Sequence, residues 1–203
     1  MSEIRLLLAD DQALVRGALA ALLSLEPDLN VVAQVGRGDE VLEQARASSV
    51  DVCLLDIEMP GADGIEVAAL LHTELPQVRT LIVTTFGRPG YLRRAVEAGA
   101  SGFVVKDTPA AELADAVRRV HAGLRVIDPT LATESLTAGG NPLTQRERDV
   151  LTIALAGAPV AEIAAQVHLS AGTVRNYLSS AIGKTGAETR AQAARIAQQR
   201  GWL

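Results

Sequence analysis

Five polar side chains stand at or just beyond the ends of short apolar runs in this 203-residue chain. Asp10 and Asp11 follow Ile4–Ala9, Asp56 follows Val52–Leu55, Thr84 closes the run 80–84, and Lys106 follows Gly102–Val105. Taken singly, each reads as a turn residue, a helix cap or an ordinary polar end. Taken together they have one chemistry. Three carboxylates repel one another and stay ionised together only around a cation. With carboxylates, a carbonyl and waters as donors, and no Cys or His at these positions, that cation is Mg²⁺ rather than Zn²⁺. Metal and ammonium would neutralise a dianionic phosphoryl group, Thr84 would donate a hydrogen bond to it, and a carboxylate would be the acceptor nucleophile. Asp56 is the candidate acceptor, because its run otherwise reads as a buried central strand with no reason to end on a charge. Lys106 strengthens the set: the chain has 17 Arg but only two Lys, and a compact point charge is what Lys supplies.

Such a set converges only if the runs carrying it are neighbouring strands. Candidate strands at 4–9, 31–35, 52–56, 80–84 and 102–105 alternate with helical segments that begin near Gln12, Asp39, Gly64, Pro89 and Pro109. The last of these has Thr108 as expected N-cap and Pro109 as expected first helical residue. Strict alternation predicts an α/β fold, a five-stranded doubly wound parallel sheet covered on both faces. Ligands of such sheets sit beyond the carboxyl ends of the strands, where all five polar residues lie.

The rest of the chain differs in kind. Residues 1–141 carry 12 basic against 20 acidic side chains, residues 142–203 carry 7 against 4, and the whole has a net charge of −5. An acidic body with a basic tail suggests two modules with different partners. The stretch 128–142, with Pro129, Gly139, Gly140, Asn141 and Pro142, has a linker's composition. The expected division is therefore 1–122 for the α/β domain, 123–141 for the linker and 142–203 for a second domain. An apolar fraction of 48% and a charged fraction of 21% suit a soluble globular protein. No apolar stretch reaches the roughly 18 to 20 residues of a membrane span. The acidic N-terminal segment is unlike a signal peptide, so a cytoplasmic protein without membrane insertion is expected. The single Cys53 lies in an apolar run and reads as a core residue.

Beyond the linker there is no strand candidate. Helices are expected at 144–156, opened by a Thr144/Glu147 capping box, then at 160–167, 171–185 and 189–200. The second and third, joined by the short break His168 to Ser170, form a helix-turn-helix in an all-α four-helix domain. In the third, Val174, Leu178 and Ile182 should face the core, leaving Thr173, Arg175, Asn176, Ser179 and Lys184 on polar faces. Arg and Asn suit guanine and adenine edges, and with the domain's basic charge they point to DNA rather than to a merely structural bundle. Arg175, Asn176 and Ser179, in the N-terminal half, are the expected base contacts, and Thr173 and Lys184 the expected phosphate contacts. His168, with no second ligand at metal spacing, reads as a turn or phosphate-facing residue.

The segments "LLLADD", "LLDIEMPGADGIE", "LIVTTF" and "EAGASGFVVKD" resemble, in order and spacing, the receiver domain of two-component response regulators, and the resemblance covers residues 1–122. The segment "NPLTQRERDVL" with "AEIAAQVHLSAGTVRNYLSSAIGKTGAETRAQAARIA" resembles the LuxR-type output domain. The combination is identified as a NarL/FixJ-type response regulator and is most similar to the membrane-lipid desaturase regulators. The resemblance implies strand order 2-1-3-4-5 and Asp56 as phosphoacceptor. It further implies Mg²⁺ ligated by Asp11, Asp56 and the backbone carbonyl of Glu58, with Asp10 acting through water. Lys106 would sit on the phosphoryl oxygens, and Thr84 and Phe103 would form the switch pair. Two positions depart from the usual pattern: Thr85 is bulkier than the small residue commonly found there, and Glu58 places an extra acid two residues past the acceptor. Both are expected to tune the lifetime of the phosphorylated state.

The expected function is a phosphorylation-controlled transcriptional regulator, not an enzyme beyond self-phosphotransfer and autodephosphorylation. A sensor histidine kinase would donate the phosphoryl group, a homodimer would form, which the resemblance implies to be through the first and fifth helices with the last helix of the output domain also available, and paired output domains would bind promoter DNA. The alternatives are an Mg²⁺-dependent phosphohydrolase, which Asp56-Ile57-Glu58 mimics but which lacks a cap insertion for a substrate pocket, and a receiver acting as a protein-interaction adaptor.

Overall fold

The computed structural model describes residues 3–85, 89–128, 131–132 and 141–203. They fall into two compact units, the first built mainly from residues up to 133 and the second mainly from 134 onward. The linker residues Pro129, Gly139 and Gly140, and Phe86 of "LIVTTF", lie outside the described residues.

The first unit alternates β1 (Ile4–Ala9), α1 (Ala13–Leu23), β2 (Leu29–Val35), a 3₁₀ turn (Gly38–Glu40), α2 (Val41–Ala47), β3 (Val52–Leu55), α3 (Gly64–Glu74), β4 (Arg79–Thr84), α4 (Pro89–Glu97), β5 (Gly102–Val105), α5 (Ala110–His121) and β6 (Val126–Ile127). The sheet is parallel throughout, in the order β2-β1-β3-β4-β5-β6. The first five strands take the expected order, but the sheet has six, not five. The sixth, inside the expected linker, pairs only Val126 with Gly102 and Ile127 with Phe103, and two residues are too short a run for an alternation pattern to register.

Register brings the strand tips level. Ala9 stands opposite Leu55, Leu55 opposite Ile82, and Thr84 opposite Val105. The ladder continues past β1 and β3 through the Asp56 amide, which donates to the Ala9 carbonyl at 2.8 Å. Central strands buried on both faces hold this frame: Leu6, Leu8, Val52 and Leu54 pack with Leu23, Val117 and Val120 of α1 and α5, while Leu7, Cys53 and Leu55 alternate to the opposite face. Burial pushes the Cys53 thiol up to about 12, as suits a core residue.

Two helix starts differ from expectation. The N-cap of α5 is Pro109, with φ −55° and ψ 142°, and the helix begins at Ala110. Pro109 has the right φ for a first helical residue, but its extended ψ delays the helix by one position, so Thr108 does not cap it. The segment near Asp39 makes a 3₁₀ turn before α2 begins at Val41.

The second unit comprises α6 (Gln145–Leu155), α7 (Val160–Gln166), α8 (Ala171–Thr185) and α9 (Arg190–Gln199). Side chains of Thr144, Ser170 and Thr189 cap α6, α8 and α9, and the Thr144/Glu147 capping box is formed in both directions. Val150, Leu151, Ile163, Val174, Leu178 and Trp202 anchor the core. The Asn141 side-chain amide donates to the Trp202 carbonyl at 2.9 Å, tying the segment before α6 to the C-terminal residues. Among the described residues no helix is long and apolar enough to cross a membrane.

Candidate functional site

The level strand tips bring Asp10, Asp56 and Lys106 into direct contact. The Lys106 ammonium lies 2.7 Å from an Asp10 oxygen and 2.9 Å from Asp56 Oδ2. Each carboxylate is oriented by its own backbone: Asp10 Oδ1 accepts from the Gln12 amide at 2.9 Å, and Asp56 Oδ1 from the Ile57 amide at 2.8 Å. Asp10 and Asp56 are 3% and 4% exposed, whereas Asp11 is exposed. A pocket of about 60 Å³ opens here, lined by Asp11, Gln12, Asp56, Glu58, Thr84 and Thr85.

One ammonium shared by two buried carboxylates leaves surplus negative charge. Burial pushes the Asp56 carboxyl up, Lys106 draws it down, Asp10 adds to the rise, and the net is upward. For Lys106, burial acts downward but the two carboxylates outweigh it and hold the ammonium charged. One oxygen from each of Asp10, Asp11 and Asp56 lies within 4.8 Å of the others. An all-oxygen anionic donor set with an exposed member fits a hard, partly hydrated cation.

Each expected pocket residue has a definite place. Thr84 is buried at the end of β4, and Glu58 and Thr85 are exposed on the pocket wall. Phe103, the other member of the expected switch pair, is 1% exposed on β5. Two further residues were not singled out in the sequence. Gln12 lines the pocket, and the Arg16 guanidinium donates to the Asp10 carbonyl from α1. Gln12 directly follows the acidic pair, a positional signal. Arg16, six residues from Asp10, carried none.

In the second unit, α8 presents Gly172, Arg175, Asn176, Ser179 and Gly183 to solvent, at three- and four-residue spacings that form one continuous face. Opposite it, Val174, Leu178, Ala181 and Thr185 are buried, and Ile182 packs against the core. Thr173 is half-buried, its hydroxyl 2.8 Å from that of Ser170. Lys184, on the polar side of α8, has its ammonium 2.8 Å from the carboxylate of buried Glu147. Pattern reading placed Glu147 only in the capping box and could not see that its second oxygen reaches α8. His168 is exposed in the α7–α8 turn with a left-handed φ of 54°.

Two family models match the chain: the response regulator receiver domain over residues 6–118 and the bacterial regulatory proteins of the luxR family over 141–197. The uncharacterized transcriptional regulatory protein YvfU of Bacillus subtilis is 44% identical over 200 residues, covering 98% of this chain and 100% of the relative. The transcriptional regulatory protein DesR of the same organism is 40% identical, covering 98% and 99%. Among solved structures, the response regulator ChrA of a heme-sensing two-component system is 31% identical with a TM-score of 0.61, covering 100% of both chains.

Proposed function

The chain belongs to the response regulators that join a receiver domain to a LuxR-family DNA-binding domain, and from that premise we propose that Asp56 is its phosphoacceptor. The class is that of transcriptional regulators switched by phosphorylation. The observation carrying the assignment is the shared Lys106 ammonium, 2.7 and 2.9 Å from two buried carboxylates beside an open acidic pocket.

A sensor histidine kinase supplies the phosphoryl group: an Asp56 oxygen forms the new bond to phosphorus as the bond to the kinase histidine breaks. Lys106 releases Asp56 and follows the phosphoryl oxygens, keeping Asp10 as its second partner. Thr84 turns its hydroxyl toward the new dianion, and Phe103, two strands from Asp56, occupies the space beside it. Asp11, Asp56 and the Glu58 carbonyl would hold Mg²⁺, with Asp10 acting through water, and the metal would supply charge neutralisation for the phosphoryl group. Driving the population from mostly off to mostly on requires about 5 kcal/mol of differential interaction with the active conformer.

Leu14 at 87% exposure, on α1 with exposed Gly17 and Ala18, and Leu25 at 79%, just past the end of that helix, support a second copy as partner of the face formed by α1 and α5. The dimer presents two α8 helices to half-sites about one helical turn apart on promoter DNA in the cytoplasm. The working boundaries are 1–122, 123–141 and 142–203, with β6 completing the sheet from within the middle segment. Incubation with acetyl phosphate and Mg²⁺ should add one phosphoryl group to the chain, and Asp56→Asn should abolish it. Equal labelling of the Asn variant contradicts the assignment, and turnover of a generic phosphate ester favours a phosphohydrolase.

A further inference from the structure

One carboxylate outside both sites is the most heavily engaged in the second unit. Glu147, in the first turn of α6, is 3% exposed. Its Oε2 accepts from the Thr144 amide at 2.6 Å and from the Lys184 ammonium at 2.8 Å, and its Oε1 accepts from the Ser180 hydroxyl at 2.7 Å. One side chain thus caps α6 and grips α8 at two successive turns. Burial pushes this carboxyl up, but Lys184, Ser180 and Thr144 together outweigh burial and hold it at about 2.

The gripped residues are not arbitrary. Asn176, Ser180 and Lys184 follow one another at four-residue spacing and form one row along α8. The clamp therefore holds the row that carries Asn176, next to Arg175. The other α6–α8 packing, among Val150, Leu151, Val174, Leu178 and Ala181, is apolar. Apolar contact resists separation but is non-directional and leaves small rotations cheap, whereas hydrogen bonds to a fixed carboxylate favour one rotation and one axial register. Both lysines of this arginine-rich chain, Lys106 and Lys184, sit on buried carboxylates, where Lys supplies a compact point charge.

We infer that Glu147 is a positioning residue for DNA reading: through Ser180 and Lys184 it sets the roll and register of α8, so that Arg175 and Asn176 meet base edges in a single geometry. Lys184 acts through this clamp and not as a phosphate contact. The inference rests on the proposed DNA-reading role of α8.

The test uses the full chain, a duplex selected by it from random-sequence DNA, and a scrambled duplex of equal composition, over a range of salt. Glu147→Gln and Lys184→Met should each reduce the ratio of selected to scrambled affinity by about tenfold, about 1.4 kcal/mol, with no change in the salt slope. The double variant should be no worse than the worse single one, since the two act as a unit. Simple destabilisation lowers the active fraction for both duplexes alike and leaves the ratio unmoved. Should either variant fail to fold, Lys184→Arg keeps the charge, and a lowered ratio at unchanged slope is again expected. An undiminished ratio in the folded variants overturns the inference, as does a Lys184→Met variant that weakens both duplexes equally and reduces the slope by about one. If the unaltered chain does not distinguish the two duplexes, the reading of α8 itself falls; if it does and the variants keep the ratio, only the clamp falls.

Discussion

Replacing Glu147 by Gln should destabilise the second unit by about 2 to 3 kcal/mol at neutral pH. The magnitude comes from the carboxyl's own titration: a folded value of about 2 against an ordinary 4.5 corresponds to about 3 kcal/mol of preferential stabilisation of the charged form. Lys184 is 35% exposed, so solvent screening trims its share. The Gln amide keeps one acceptor but turns a donor toward Ser180 or Lys184, leaving one of them without its acceptor. Because the folded value lies below the unfolded one, this stability is fully present above about pH 4.5 and drains away as the pH falls toward 2; more than about half should be gone by pH 3. Trp202 is the chain's only tryptophan and is buried in this unit's core, so urea unfolding followed by its fluorescence reports on this unit. The deficit of Glu147→Gln should be large at pH 7 and shrink steadily toward pH 3. A deficit below about 0.5 kcal/mol at pH 7, or one equal at pH 7 and pH 3, refutes the reasoning.

Arg175→Ala should cost about 1 to 3 kcal/mol on a selected duplex and relax preference at one base pair, checked by binding to single-position variants of that duplex; equal weakening on scrambled DNA contradicts a base contact. Asp11→Ala removes the exposed carboxylate of the acidic set without opening the core, so phosphorylation by acetyl phosphate should need a higher Mg²⁺ concentration while the melting temperature stays nearly unchanged. Leu14→Glu places a charge on the exposed α1 face and should keep the beryllofluoride-treated chain monomeric in sedimentation, where the unaltered chain becomes heavier.

The acidic pocket was largely legible in the sequence because parallel register and strand length, both readable from apolar runs, place Asp10, Asp56, Thr84 and Lys106 at one edge. Val126–Ile127 escaped because a two-residue strand owes its existence to a partner already in place, β5, and not to its own pattern. Pro109 illustrates the limit at helix ends, where φ suits the helix but ψ decides. In the second unit, Thr144 with Glu147 announced a capping box, and the box is present. That the same carboxylate also holds Ser180 and Lys184, 33 and 37 residues away, depends on how two helices cross, and no local spacing encodes that.

The central claim is that charge placed on Asp56 controls DNA binding by α8, and the direct measurement is the affinity of the full chain for a selected duplex with and without beryllofluoride, in the unaltered protein and in Asp56→Asn. The unaltered protein should bind at least about tenfold more tightly when treated, a gain of about 1.4 kcal/mol, and Asp56→Asn should show no response. Equal affinity of the unaltered protein in both conditions, or an equal gain in Asp56→Asn, would contradict it.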